Sequence, residues 1–263
     1  MTRYAPMFER CAASGEGALG AFLMLGDPDF DRSGEMLDSL VAGGADMVEL
    51  GIPFSDPVAD GPVIQAAALR ALDAGVRTGQ CLDLIAAFRG RHPDIPVGIL
   101  TYANIVAARG IDGFARELSD AGADSLLVAD VPSIEVRPYS SAAKAAGIDL
   151  VMIAAPNTPR STLERIATLS SGYTYCVARA GITGADERLS LDHASLFEAL
   201  DDVKAPPPVL GFGISTPDQV RQALASGAAG VISGSAIVDR VREGPAEVQS
   251  FVAAMKEATA LRP

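Results

Sequence analysis

The sequence predicts a (β/α)8 barrel, the TIM barrel of the α/β class, in one domain that spans residues 1–263. Eight apolar, strand-like runs alternate with amphipathic, helix-like runs, over a length of about 250 residues that is typical of this fold. A sequence pattern also recurs in which glycine ends a helix-like run and a strand-like run follows, as in AGGADMVEL (42–50) and SGAAGVISG (226–234). No shift in composition divides the chain, and its hydrophobic content of 49% suffices for one large core.

The predicted strands are apolar on both faces, as expected for a parallel sheet that helices cover. In chain order they are 18–25, 46–51, 96–102, 124–130, 149–154, 173–177, 208–212 and 230–233. Amphipathic helices are predicted between them, most clearly at 33–42, 111–121, 161–169, 217–226 and 245–261. An extra N-terminal helix precedes the first strand, and the long connection after strand 2 has room for an extra helix at 64–74 before the one at 80–88. An open doubly wound sheet is the alternative arrangement.

Charge and cysteine content exclude several classes of partner and site. The net charge is −12, from 33 acidic and 21 basic residues, so the chain repels nucleic acid and anionic membrane surfaces, and neither is expected as a partner. Cys11, Cys81 and Cys176 are far apart in sequence, so neither a disulfide framework nor a zinc site is expected, and a reducing cytoplasm is the expected location. The N-terminus lacks a signal-peptide pattern, and no apolar stretch is long enough to span a bilayer.

Two carboxylates are the first candidates for catalysis, since the loops that follow barrel strands build the active site. Glu49 lies inside an apolar strand, where a buried carboxylate needs a partner or a proton. The loop after it is rich in Gly and Pro, carries Asp60, and can bring both groups to one pocket. The pair therefore predicts general acid and base chemistry. In the alternative interpretation, Glu49 pairs with a polar group of the core and Asp60 caps the next helix.

Glycine-lined strand ends indicate a phosphate site. GFGIS (211–215) and ISGSA (232–236) each lead directly into a helix after the seventh and eighth strands, where this fold usually binds phosphate. Neither segment contains Lys or Arg, so an anion would bind to backbone N–H groups and Ser235. Tight turns that need small residues are the alternative. After the sixth strand, ARAGITGADE (178–187) predicts either a lid or an ordinary surface loop.

Lysine and histidine are too scarce to support two common ways of cleaving a carbon–carbon bond. The three lysines lie in helical runs or before a strand, and the two histidines lie near helix ends. Neither a lysine Schiff base nor a histidine-bound metal is therefore expected at the mouth of the barrel. A carbon–carbon cleavage at this site would therefore need a substrate that supplies its own electron sink. Asp130, at the end of the fourth strand, is expected to orient the neighbouring loop rather than to act on a substrate.

Several motifs together resemble the tryptophan synthase alpha subunit family, and the resemblance covers nearly the whole chain. They are LGDP (25–28), ELGIPFSDPVADGP (49–62), TYAN (101–104), VADVP (128–132), RAGITG (179–184), GFGIS and ISGSA. The resemblance implies retro-aldol cleavage of indole-3-glycerol phosphate to indole and glyceraldehyde 3-phosphate for tryptophan biosynthesis. It implies that Glu49 protonates indole C3 and that Asp60 binds the indole N–H. The sequence departs from the family pattern at Met24, Ala103 and Ser133.

The resemblance also implies the remaining site residues. The side chains expected to line the indole pocket are Phe22, Leu100, Tyr102, Leu127, Ile153 and Tyr175. Thr183 would close a lid onto Asp60, and the phosphate would rest on Gly184, Gly213, Gly234 and Ser235. No metal or cofactor is expected in this chain.

The implied partner is a beta subunit that uses pyridoxal phosphate and receives indole in an α2β2 heterotetramer. The family's contact region corresponds to residues 54–57, Asn104 and Pro132. Three rival functions remain at this point: a stand-alone indole-releasing lyase, another phosphosugar barrel enzyme such as a sugar isomerase, and a catalytically idle subunit that activates a beta partner.

Overall fold

Parallel strands form a nearly closed ring in the computed structural model, which describes residues 2–177 and 193–261. The strands of the described residues are β1 (Ala18–Met24), β2 (Met47–Gly51), β3 (Val97–Thr101), β4 (Ser125–Val128), β5 (Asp149–Leu150), β6 (Met152–Ala154), β7 (Thr174–Val177), β8 (Pro208–Gly211) and β9 (Gly230–Ser233). β5 and β6 are two halves of one barrel strand, broken at Val151; β5 pairs with β4, and β6 pairs with β7. Because β1 pairs with both β2 and β9, the ring has eight strand positions, and the predicted (β/α)8 barrel is confirmed.

Helices cover the outside of this ring, and local sequence signals set where several of them begin. In the described residues they are α1 (Tyr4–Ala13), α2 (Phe30–Ala42), α3 (Pro62–Asp73), α4 (Thr78–Arg91), α5 (Ala103–Arg109), α6 (Ile111–Asp120), α7 (Arg137–Ala146), α8 (Arg160–Leu169), α9 (His193–Asp202), α10 (Pro217–Ala225), α11 (Ser235–Arg240) and α12 (Pro245–Glu257). The extra N-terminal helix is α1, and the extra helix after strand 2 is α3. Asp29 caps α2 by accepting a hydrogen bond from the Arg32 backbone N–H, and Thr216 with Gln219 forms a capping box on α10. Within the described part of the chain, no helix combines the length and apolarity that a membrane span requires.

Buried apolar side chains form two separate cores. The outer core lies between the strands and the surrounding helices and includes Leu23, Leu50 and Val231. The inner core fills the barrel, where Tyr4 and Met7 of α1 share one cluster with Tyr173. α1 therefore closes one end of the barrel, and the loops after the strands lie at the other end.

Carboxylates at the starts of the strands stabilise the end that α1 closes. The Asp124 side chain accepts hydrogen bonds from Arg3 and Arg89 at 2.9 and 2.7 Å. Asp46 accepts one from Lys256 Nζ at 2.8 Å. Lys256 is thus paired with a carboxylate at the end of the barrel opposite the strand-end loops.

Candidate active site

β2 places Glu49 in the barrel with only 3% of its surface exposed. The Tyr173 hydroxyl donates a hydrogen bond to Glu49 Oε1 at 3.0 Å, and Oε2 has no hydrogen-bond partner among the described residues. Burial raises the pKa of Glu49 to about 8, and the negative charge of Asp60 adds to this, while the Tyr173 hydrogen bond lowers it. Glu49 is therefore mostly protonated at neutral pH and can donate a proton.

A cluster of hydroxyl groups supports Glu49 from within the barrel. The ring of Tyr173 packs against Tyr4 of α1 with centroids 5.1 Å apart, and the Tyr4 hydroxyl lies 2.8 Å from Ser125 Oγ. Gly98 is the β3 residue paired with Glu49, and a Cβ at this position would lie 2.9 Å from the Tyr4 hydroxyl. The missing side chain of Gly98 thus makes room for the cluster.

Tyr173 and its contact with Glu49 were not predicted from the sequence. A signal was available, because Tyr173 and Tyr175 are two positions apart in one predicted strand and so share a face.

Asp60 is buried at the end of the loop that follows β2, 7% exposed. Burial raises the pKa of its carboxyl group, and a hydrogen bond with Tyr102 opposes that effect. The Tyr102 hydroxyl also accepts a hydrogen bond from the Ala59 backbone N–H at 3.3 Å, and the Tyr102 ring stacks on Phe54 at 5.2 Å. Asp60 does not cap α3, since the N-cap position is Gly61 without a side-chain bond. Tyr102, predicted to line the pocket, therefore holds the loop that carries Asp60.

Most of the predicted apolar pocket belongs to the inner core. Phe22, Leu127 and Tyr175 are buried there, and Leu100 packs against them. Burial is the largest cause that raises the pKa of Tyr175, and the negative charges of Glu49 and Asp60 raise it further. The barrel thus brings the two carboxylates and these apolar side chains together.

Three predicted positions differ from that group. Ile153 in β6 pairs in register with Tyr175 but is 37% exposed, whereas Tyr175 is buried. Thr183 and Gly184, with the segment 178–187, lie outside the described residues.

The predicted phosphate loops meet beside this group. Phe212 and Gly213 have φ angles of +69° and +79°, and such left-handed backbone is rare for residues other than glycine. The Phe212 ring packs edge-on against Tyr175 at 5.8 Å. Ser233 Oγ donates a hydrogen bond to the Ile214 carbonyl oxygen at 2.7 Å and so ties the two loops together.

Gly234 and Ser235 lie where α11 begins, and a Cβ on Gly234 would be 3.7 Å from Phe22. The ends of β8 and β9 therefore border the predicted pocket.

Asp130 has the orienting contact that its position predicts. Its Oδ1 accepts a hydrogen bond from the Ala103 backbone N–H at 2.7 Å, at the start of α5. Among residues 2–177 and 193–261, no group of three or more His, Cys, Asp and Glu side chains is placed to hold a metal ion.

Comparison with known proteins agrees with this geometry. The family model described as "Tryptophan synthase alpha chain" matches residues 8–261. The tryptophan synthase alpha chains of Shewanella amazonensis and Aeromonas hydrophila are each 49% identical to this chain, over 98% of it and over 100% and 99% of their own lengths.

Among solved structures, a chain of Mycobacterium tuberculosis tryptophan synthase aligns with a TM-score of 0.91 at 30% identity, covering 99% of each chain. The alpha chain from Legionella pneumophila aligns with a TM-score of 0.88 at 28% identity, covering 98% of this chain and 97% of its own. The chain therefore belongs to the tryptophan synthase alpha chain family.

Proposed function

We propose that this chain is the alpha subunit of a tryptophan synthase and is a carbon–carbon lyase. It cleaves indole-3-glycerol phosphate by a retro-aldol reaction to indole and glyceraldehyde 3-phosphate, for the synthesis of L-tryptophan. Membership of the family over nearly the full length supports the reaction. The observation that carries the chemistry is the buried Glu49, protonated at neutral pH, in the barrel that it shares with Asp60.

Glu49 transfers its proton to C3 of the indole ring. The protonated ring then takes up the electron pair of the bond between C3 and the glycerol side chain, so that this bond breaks. The carbon released from C3 becomes the aldehyde carbon as its hydroxyl group loses a proton, and the Glu49 carboxylate accepts that proton and is restored. Asp60 accepts a hydrogen bond from the indole N–H, and its negative charge stabilises the positive charge that develops on the ring.

The surrounding residues bind and orient the substrate. The indole ring contacts Phe22, Leu100, Tyr102, Leu127, Ile153 and Tyr175. The phosphate accepts hydrogen bonds from the strand-end loops at Gly213, Gly234 and Ser235, and Thr183 and Gly184 complete the site. A local cradle of N–H groups is needed because the net charge of −12 repels an anion.

A beta subunit that carries pyridoxal phosphate is the proposed partner, in an α2β2 heterotetramer, and it receives the indole. The contact region is residues 54–57, Asn104 and Pro132. Two apolar side chains beside that region support a docking surface there, since Val58 is 71% and Ile134 is 69% exposed. The cytoplasm is the proposed location, in keeping with three free and buried cysteines.

The catalytic assignment is tested by comparing Glu49→Gln with Glu135→Gln, the same change at an exposed position in the loop after β4. Loss of one general acid lowers kcat by about 10²–10⁴-fold, so Glu49→Gln should nearly abolish indole release while inorganic phosphate still binds. Glu135→Gln should keep the wild-type rate. Cleavage by Glu49→Gln at the wild-type rate would overturn the assignment.

Assays with and without the beta subunit separate the rival functions. A rate of indole release that rises when the beta subunit is added supports the proposed subunit. Equal rates indicate a stand-alone lyase. No release under either condition, with stimulation of the beta reaction, indicates an idle activator, and turnover of a phosphosugar in place of indole-3-glycerol phosphate indicates an isomerase.

A further inference from the structure

Ser233 links two barrel strands at a point where their backbones no longer pair. The last pair in the described register of β8 and β9 is Leu210 with Val231. β9 continues to Ser233, whose hydroxyl donates a hydrogen bond to the Ile214 carbonyl oxygen at 2.7 Å. This side-chain bond therefore joins the loops that follow β8 and β9 beyond the end of the backbone pairing.

The side chain of Ser233 lies on the outer face of the barrel, away from the proposed substrate pocket. Side chains alternate along a strand, and Ile232 belongs to the inner core whereas Val231 belongs to the outer core. Ser233 shares the face of Val231, is fully buried, and binds Ile214, which is also part of the outer core. Its hydroxyl can therefore affect a substrate only through the loops that it joins.

The peptide unit between Ile214 and Ser215 is held at both of its polar atoms. Its carbonyl oxygen accepts the hydrogen bond from Ser233, and its N–H donates one to Gln219 Oε1 of α10 at 2.8 Å. Because a peptide unit is planar, bonds at these two atoms fix its orientation. Gly213, which directly precedes Ile214, is therefore held at a set position relative to the end of β9.

The spacing of the two loops matters for an anion that binds to both of them. In the proposed site the phosphate accepts hydrogen bonds at Gly213 after β8 and at Gly234 and Ser235 after β9. Such bonds need donor–acceptor distances of about 2.7–3.2 Å and weaken steeply when the geometry is lost. The distance between the loops therefore decides whether one phosphate reaches the donors of both.

We infer that Ser233 is a positioning residue for the phosphate group of the substrate, because its hydroxyl sets the spacing of the two loops that bind this group. The inference rests on the proposed function, which supplies the phosphorylated substrate. Ser233 itself does not touch the substrate, and no bond forms or breaks at its hydroxyl. Its loss weakens binding of the phosphate end, and leaves binding of the indole end and proton transfer from Glu49 unchanged.

The test compares Ser233→Ala with Ser39→Ala in the full chain. The Ser39 hydroxyl also donates to a backbone carbonyl oxygen, that of Met36, at 2.7 Å, and both serines are buried. Each change thus removes the same kind of bond, but Ser39 lies in α2, away from the two loops. By isothermal titration calorimetry, the Kd for glycerol 3-phosphate should rise about tenfold in Ser233→Ala alone, as when one hydrogen bond to a charged group is weakened. The Kd for indole should be the same in both variants and the wild type.

Steady-state kinetics provide a second measurement, in which Ser233→Ala should raise KM for indole-3-glycerol phosphate by a similar factor and change kcat little. If Ser233→Ala does not fold, Ser233→Cys replaces it, since a thiol has a similar size but is a weak donor, and the same rise in Kd is expected.

Three results would overturn the inference: an unchanged Kd for glycerol 3-phosphate in the folded Ser233 variant, an equal rise in Ser39→Ala, or an equal rise in the Kd for indole. A wild type that does not bind glycerol 3-phosphate would overturn it as well. A wild type that binds glycerol 3-phosphate but does not cleave indole-3-glycerol phosphate would refute the proposed function alone. Normal cleavage with an unchanged Kd in Ser233→Ala would refute the inference alone.

Discussion

Replacing Tyr173 with Phe removes the hydrogen bond that Glu49 Oε1 accepts from its hydroxyl group and leaves the packing of the ring in place. That bond stabilises the charged carboxylate and lowers the pKa of Glu49, which burial holds at about 8. A hydrogen bond to a charged group contributes about 1.5–3 kcal/mol, and 1.36 kcal/mol corresponds to one pKa unit. Tyr173→Phe should therefore raise the pKa of Glu49 by about 1–2.

The assay is the pH dependence of kcat for the release of indole. A general acid is active in its protonated form, so the rate falls above its pKa. In Tyr173→Phe the fall should begin about 1–2 pH units higher than in the wild type. The matched control is Tyr4→Phe, because the Tyr4 hydroxyl binds Ser125 rather than Glu49. An unchanged profile in Tyr173→Phe, or an equal displacement in Tyr4→Phe, would refute the role assigned to this hydrogen bond.

Three further substitutions test other parts of the structure. The pKa of Glu49 rises from 4.5 to about 8 on folding, so the wild type loses stability as the pH rises through that window. Glu49→Gln removes this loss of stability. Its free energy of unfolding, measured by urea denaturation, should exceed that of the wild type by on the order of 4 kcal/mol near pH 8 and by little near pH 4. A Cβ on Gly211 would lie 2.2 Å from Cζ of Tyr175, so Gly211→Ala should displace that ring and lower kcat/KM for indole release by about tenfold or more. Arg70 makes two hydrogen bonds of 2.8 Å to the fully buried Asp27, so Arg70→Ala should cost about 3–5 kcal/mol of unfolding free energy, measured by urea denaturation.

Two of these substitutions have a control variant in this chain. A Cβ on Gly79 has no atom within 4 Å, so Gly79→Ala should leave kcat/KM unchanged. Arg91 pairs with Asp38 in an exposed contact of 3.0 Å, and Arg91→Ala should cost only about 0–1 kcal/mol. Equal losses in Arg70→Ala and Arg91→Ala would contradict the argument from burial. A Glu49→Gln variant whose gain in stability is the same at both pH values would contradict the raised pKa.

The strands were predictable because both faces of each are buried, and this gives continuous apolar runs. The break at Val151 could not be predicted from the sequence, since it depends on where the neighbouring strand β4 ends. The predicted fourth strand, 124–130, is longer than β4, and Asp130 lies in the loop after β4, where its side chain binds the start of α5.

The site was predictable where it depends on position along one segment. Glu49 and Asp60 stand out because one loop joins them and because a carboxylate is unusual in an apolar strand. The contacts of Tyr173 and Tyr4 with the neighbourhood of Glu49 depend on strands and a helix far apart in sequence. Such contacts follow from the closure of the barrel, which a linear pattern does not contain.

The place of β1 in the ring has a consequence for how the chain folds. β1 is flanked by β2, the next strand to leave the ribosome, and by β9, the last. The nearby pair of Asp46 and Lys256 joins positions that are 210 residues apart. One edge of β1 stays unpaired through most of synthesis, and contacts between such distant positions form slowly. The nascent chain is therefore most exposed to aggregation and to chaperone binding just before its last strand emerges.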